Sequence, residues 1–118
     1  MKAAVFYQAG DLRVEEREMP VCGAGQVLLR VRACGICGTD AHIFCGDEGA
    51  AKTPAGTVLG HEFAGEVAAV GAGVTGIAVG DRACVDPNRL CGKCDFCRRG
   101  IGHLDLVVKR IVFLSILL

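Results

Sequence analysis

Residues 27–44 read VLLRVRACGICGTDAHIF. The first half alternates. Val27, Leu29, Val31 and Ala33 fall on one face of an extended chain, and Arg30 and Arg32 fall on the other. A period of two, with apolar and charged residues opposed, is the pattern of a half-buried strand. The alternation stops at Cys34, and Gly35 and Gly38 punctuate the second half. The spacing predicts a strand end, a turn, and then one or two helical turns. Such a strand would deliver Cys34, Cys37, Thr39 and His42 to one short stretch, so fold and chemistry are read together from here.

The flanking segments extend the β pattern. Residues 2–7, KAAVFY, form a β-prone run, and the turn residues 8–11 separate it from the alternating LRVEERE at 12–18, which predicts a hairpin. Residues 46–56 read as loop. TVLGHEFAGEVAAVG (57–71) reads as two short strands around a Gly-His-Glu corner, and GVTGIAVGDRACVDP (73–87) repeats the style with a turn at Val79-Gly80-Asp81. Short strands at this spacing, with glycine turns between them, predict a mainly β fold with short helices, a small barrel or sandwich. Residues 88–102 carry cysteines but little hydrophobic periodicity, so this lobe is expected to fold around something other than a core. The last segment, LDLVVKRIVFLSILL (104–118), is apolar apart from Asp105, Lys109, Arg110 and Ser115. Its apolar stretch beyond Arg110 is too short to span a bilayer. It does not match the glycine-rich chain before it, and it reads as a truncated or frame-shifted end or else as a locally paired strand.

Composition removes several function classes. A chain of 118 residues supports one domain. Lys plus Arg and Asp plus Glu are 13 each, so there is no basic excess to displace the counterions of a nucleic acid. Aromatic residues make up 5% with no Trp, which leaves no platform for stacked bases. Apolar residues at 52% suffice for a core. The 17 glycines fit tight turns and close backbone approaches. The apolar run Ala3–Tyr7 is shorter than a secretory signal requires. The expected location is therefore the cytoplasm, where thiols stay reduced. Eight cysteines in such a chain point to metal rather than to disulfides.

Two groups of residues carry candidate chemistry. Cys91, Cys94 and Cys97 stand at C-x2-C-x2-C spacing in LCGKCDFCRRG. Closely spaced thiolates converge on one tetrahedral ion, and Asp105 or the rival His103 could supply the fourth ligand of a structural zinc. The same spacing opens an iron–sulfur run, but the expected fourth Cys followed by Pro is replaced by Ile101-Gly102. The second group is split. Cys37 and Thr39 lie in CGICGTDAH with Cys34 and His42 beside them, and His61 and Glu62 lie in LGHEFAGEV. Thiolate, imidazole and carboxylate make the donor set of a catalytic zinc with one open position. The Thr39 hydroxyl could pass a proton outward to His42, whose imidazole titrates near physiological pH. Taken singly, Cys37 also fits a small buried hydrophobe, His61 a core imidazole and Glu62 a solvated charge. Gly71-Ala-Gly-Val-Thr-Gly76 matches G-x-G-x-x-G, yet a dinucleotide fingerprint must open a helix. Residues 76–87 read as strand instead, so a tight hairpin turn is expected there and no dinucleotide site.

Taken together, CGICGTDAH, GHEFAGEV, VGDR and DPNRLCGKCDFCRRG resemble the zinc-dependent medium-chain alcohol dehydrogenases, nearest their polyol (sorbitol-like) branch. The likeness covers residues 1–104. It implies a GroES-like, partly open β-barrel with a cysteine-rich zinc lobe. It implies Cys37, His61 and Glu62 as catalytic-zinc ligands, Thr39 and His42 as the proton path, and Cys91, Cys94 and Cys97 as structural-zinc ligands. Asp105 stands where the family has a fourth Cys. The implied reaction oxidises a secondary alcohol or sugar alcohol to a ketone with NAD or NADP. The family's Rossmann domain, which would hold that cofactor, has no counterpart in residues 105–118. This predicts a fragment without turnover of its own and with an apolar tail prone to homo-oligomerise, with no nucleic-acid or membrane partner. The rival expectation is a non-catalytic zinc or iron–sulfur module.

Overall fold

β1 (Lys2–Gln8) and β2 (Asp11–Glu16) form the antiparallel hairpin that their alternation predicts. A computed structural model describes residues 1–48, 50, 52–102 and 109–110. Further along the chain come β3 (Val27–Cys34), α1 (Gly38–Cys45), β4 (Thr57–Val58), β5 (Phe63–Val70), β6 (Arg82–Cys84), β7 (Asn88–Arg89), α2 (Asp95–Arg98) and β8 (Lys109–Arg110). The strands make two antiparallel three-stranded sheets, ordered β2-β1-β4 and β3-β5-β6, and a small β7-β8 pair. Among the described residues no backbone ladder joins the two larger sheets, so the barrel is open. The β7-β8 pair gives the end of the chain one local strand contact. The rest of the 105–118 tail lies outside the described residues, as do His103 and Asp105.

Both faces of β1 are covered. Ala3 and Val5 point inward by the strand's alternation, and Val5 is fully buried. Phe6, on the opposite face, packs with Ile43 of α1 and with Leu59. Burial of a side chain such as Ile43 contributes about 1.5–3 kcal/mol, and here it seats the helix on the first sheet. The Gly10 N–H also donates to the Phe44 carbonyl (2.7 Å), so the hairpin turn holds the end of α1. In the second sheet Val31 and Phe63 form the core, with Leu29 and Val85 packed against them.

The predicted face of β3 holds for Leu29 and Val31 but not for Ala33, which is exposed. The register steps from Val31↔Gly65 to Ala33↔Ala64, so Arg32 is an extra residue. Such a bulge reverses the in–out phase of everything beyond it. The turn expected at residues 71–76 forms at its start, where the Val74 N–H donates to the Gly71 carbonyl at 3.3 Å and Gly73 has φ +83°, but it does not close a tight hairpin. The connection from β5 to β6 runs through residues 71–81. Its start also extends the pairing of β3 with β5, since Gly71 N–H donates to the Gln26 carbonyl and Gly25 N–H to the Ala72 carbonyl, both at 2.8 Å. A second turn comes later, closed by Asp81 N–H to the Ala78 carbonyl at 3.1 Å. The segment leads into β6 and not into a helix.

Candidate metal centres

Strand register brings the split donor set together. Cys34, the last residue of β3, pairs with Phe63, the first of β5. Residues just after the one and just before the other must therefore meet. The Gly35 N–H donates to the Glu62 carbonyl at 2.7 Å, one step beyond the ladder. Gly60 has φ +105°, a backbone region that side chains disfavour, and so it makes the sharp corner between β4 and β5. The corner turns His61 inward to 7% exposure. Glu62 stays exposed beside it.

One ligand atom each from Cys37, His61 and Glu62 lies within 4.8 Å of the others. Zinc ligands at about 2.0–2.3 Å from the ion stand about 3.3–3.8 Å apart in a tetrahedron, so small side-chain adjustments complete the sphere. The mix of one thiolate, one imidazole and one carboxylate suits zinc. A second observation supports the fit. His61 Nδ1 and Asp40 Oδ1 are buried without a hydrogen-bond partner, 3.5 Å apart. Buried polar atoms left in this way are costly, and a cation held by the other ring nitrogen would draw the Nδ1 proton and the carboxylate together.

Asp40 was not singled out by sequence. It occupies the third position of α1, and its Oδ2 accepts the Cys37 N–H at 2.9 Å, as in a capping box. Its other oxygen faces His61. The signal available in the sequence was an acidic residue three positions after a helix-capping Cys37. Cys34 belongs to neither ligand group. Desolvation, and then the charge of Asp40, push its thiol pKa up.

Thr39 Oγ1 lies 3.7 Å from Cys37 Sγ, within hydrogen-bond reach for sulfur. His42 is exposed on α1, and its Nδ1 contacts Asp47 Oδ2 at 2.6 Å.

The second centre is local. Cys91, Cys94 and Cys97 bring their sulfurs within 4.8 Å of one another, with Cys91 and Cys97 at 3.8 Å. Backbone amides turn toward the sulfurs: Cys94 N–H donates to Cys91 Sγ (3.4 Å) and Cys97 N–H to Cys94 Sγ (3.5 Å). Cys94 caps α2 by that second bond. All eight cysteines are described, and none is in a disulfide. No helix among the described residues is long and apolar enough to cross a membrane.

Known proteins are similar to this chain in sequence and fold. L-threonine 3-dehydrogenase of Rhizobium etli (strain CIAT 652) is 46% identical over 106 residues, which are 88% of this chain and 31% of that enzyme. Sorbitol dehydrogenase of Bacillus subtilis (strain 168) is 42% identical over 105 residues, 88% of this chain and 30% of the enzyme. The solved structure of a cobalt- and zinc-bound thermostable alcohol dehydrogenase from Pyrobaculum aerophilum superposes with a TM-score of 0.84 at 35% identity, covering 98% of this chain and 36% of that one. The chain thus spans about a third of the length of these relatives. Residues 23–113 match the alcohol dehydrogenase GroES-like domain, and with relatives of this kind the chain belongs to that zinc-dependent dehydrogenase family.

Proposed function

We propose that residues 1–104 are the metal-binding part of the catalytic domain of an NAD(P)-dependent alcohol or polyol dehydrogenase. In this reading Cys37, His61 and Glu62 hold a catalytic zinc, and Cys91, Cys94 and Cys97 hold a structural one. The observation that carries it is the meeting of three chemically different donors, drawn from two chain segments, within one coordination distance. A zinc ion in the first centre supplies Lewis acidity at an alcohol oxygen. Thr39, beside Cys37, accepts the hydroxyl proton and passes its own to His42. His42 stands in solvent and releases the proton to water. Asp40 holds the backbone of Cys37 and faces the ring of His61, so one carboxylate orients both ligands.

The substrate class in this reading is a secondary alcohol. L-threonine bears one at C3 and sorbitol bears several, and these two molecules give relatives of the chain their names. A nicotinamide would supply the acceptor for the carbinol hydride in this reading. The reduced thiols suit the cytoplasm.

Metal analysis tests the assignment. The purified chain is expected to hold two zinc ions. Cys37→Ala and Cys91→Ala are each expected to lose one ion. Unchanged zinc in Cys37→Ala would remove the catalytic centre.

A further inference from the structure

His42 is placed by something other than packing. Its side chain is 65% exposed, yet its ring is held by Asp47, with Nδ1 to Oδ2 at 2.6 Å. The same residue is tied to the backbone of His42, since the Asp47 N–H donates to the His42 carbonyl at 3.1 Å. This two-point attachment depends on how α1 ends. Gly46 adopts the left-handed conformation (φ +72°), and its N–H reaches back to the Ile43 carbonyl at 3.2 Å, which folds the next residue over the last turn. A Cβ on Gly46 would stand 2.7 Å from the Cβ of Ala9. The reversal is therefore closed to larger residues by sterics as well as by φ.

We infer that Asp47 is a positioning residue for His42, clamping the ring by Nδ1 and fixing the tautomer in which Nε2 accepts the proton. An ionised carboxylate offers acceptor atoms only, so the hydrogen between the two groups belongs to Nδ1. Neutral imidazole then has its one lone pair at Nε2. This inference deepens the reading of Thr39 and His42 as a proton path and rests on it. A proton leaving the Thr39 hydroxyl binds at Nε2 of His42. The Nδ1 proton stays in its hydrogen bond, and the imidazolium so formed rests against the negative charge of Asp47. An unclamped exposed ring would divide its time between two tautomers, and one of them presents a hydrogen where an acceptor is needed.

The test uses the full chain, 15N-labelled and loaded with zinc, in long-range 1H–15N spectra recorded above neutral pH. The three histidine rings are assigned with the aid of His42→Gln. In the parent chain His42 is expected to show a protonated Nδ1 and a bare Nε2. In Asp47→Ala the two 15N shifts are expected to move toward each other as the tautomers average. Asp47→Asn keeps an acceptor oxygen and is expected to retain the Nδ1 proton, which separates the clamp from a general loss of structure. Averaged shifts in the parent chain, or an Asp47→Ala spectrum like the parent's, would overturn the inference. Zinc content is measured on the same samples. A clamped His42 in a chain with no zinc at Cys37 would support the clamp and count against the catalytic metal centre.

Discussion

Asp40 links a helix end to a candidate metal ligand. One oxygen accepts the Cys37 N–H and the other faces His61 Nδ1 across 3.5 Å. Asp40→Ala is expected to lose the cap, about 0.5–2 kcal/mol of stability, and the orientation of the imidazole, roughly 10–100-fold in metal affinity. Urea unfolding reads the first loss, and competition with a chromogenic chelator reads the second. A variant that loses stability while its zinc affinity stays at the parent value would reduce Asp40 to a cap. The ligand candidates themselves were legible in the sequence because their side chains declare their chemistry: Cys37, His61, Glu62 and the 91–94–97 thiols. Asp40 and Asp47 were not. Each acts through a contact created by a turn or a strand end, and an aspartate near a helix terminus reads as an ordinary surface charge until that contact is seen.

Elements set the precision of the site. β3 and β5 carry the two halves of the donor set, and Gly65 lets them lie close, since a Cβ there would run into the Arg30 carbonyl. Gly65→Ala is expected to push the strands apart and to cost about 1–3 kcal/mol as overpacking, read as a lower urea midpoint. Retained zinc at Cys37 together with a parent-like midpoint would show that the ladder tolerates the methyl group. The strands of the two larger sheets, the hairpin and α1 were legible from alternation and glycine punctuation. The register was not, because the extra residue Arg32 inverts the pattern at Ala33. A bulge leaves no mark in a period-two count. In the G-x-G-x-x-G segment the glycines divide two roles: Gly71 permits the close backbone approach to residues 23–26, and Gly73 and Gly76 take positive φ, Gly73 within the turn at 71–74.

On the scale of the whole chain, apolar surface remains open. Leu12 (43% exposed), Ile36 (89%) and Phe44 (40%) border a cleft of about 450 Å³ between α1 and the first hairpin. Val14 and Val21 are exposed as well. Contiguous patches of this kind promote association. The chain is expected to run as oligomers in light scattering, and Ile36→Ser is expected to shift it toward smaller species. A parent chain that is monomeric at every concentration would contradict this. The two donor sets also differ in reach. The first encloses residues 37–62 and the second only 91–97. By loop-closure entropy, tying off the longer segment removes about 1 kcal/mol more disorder from the unfolded chain. The first centre joins α1, seated on one sheet, to the opening of the other. Metal there would rivet the molecule's two halves, whereas metal in the lobe would fasten a single loop to itself.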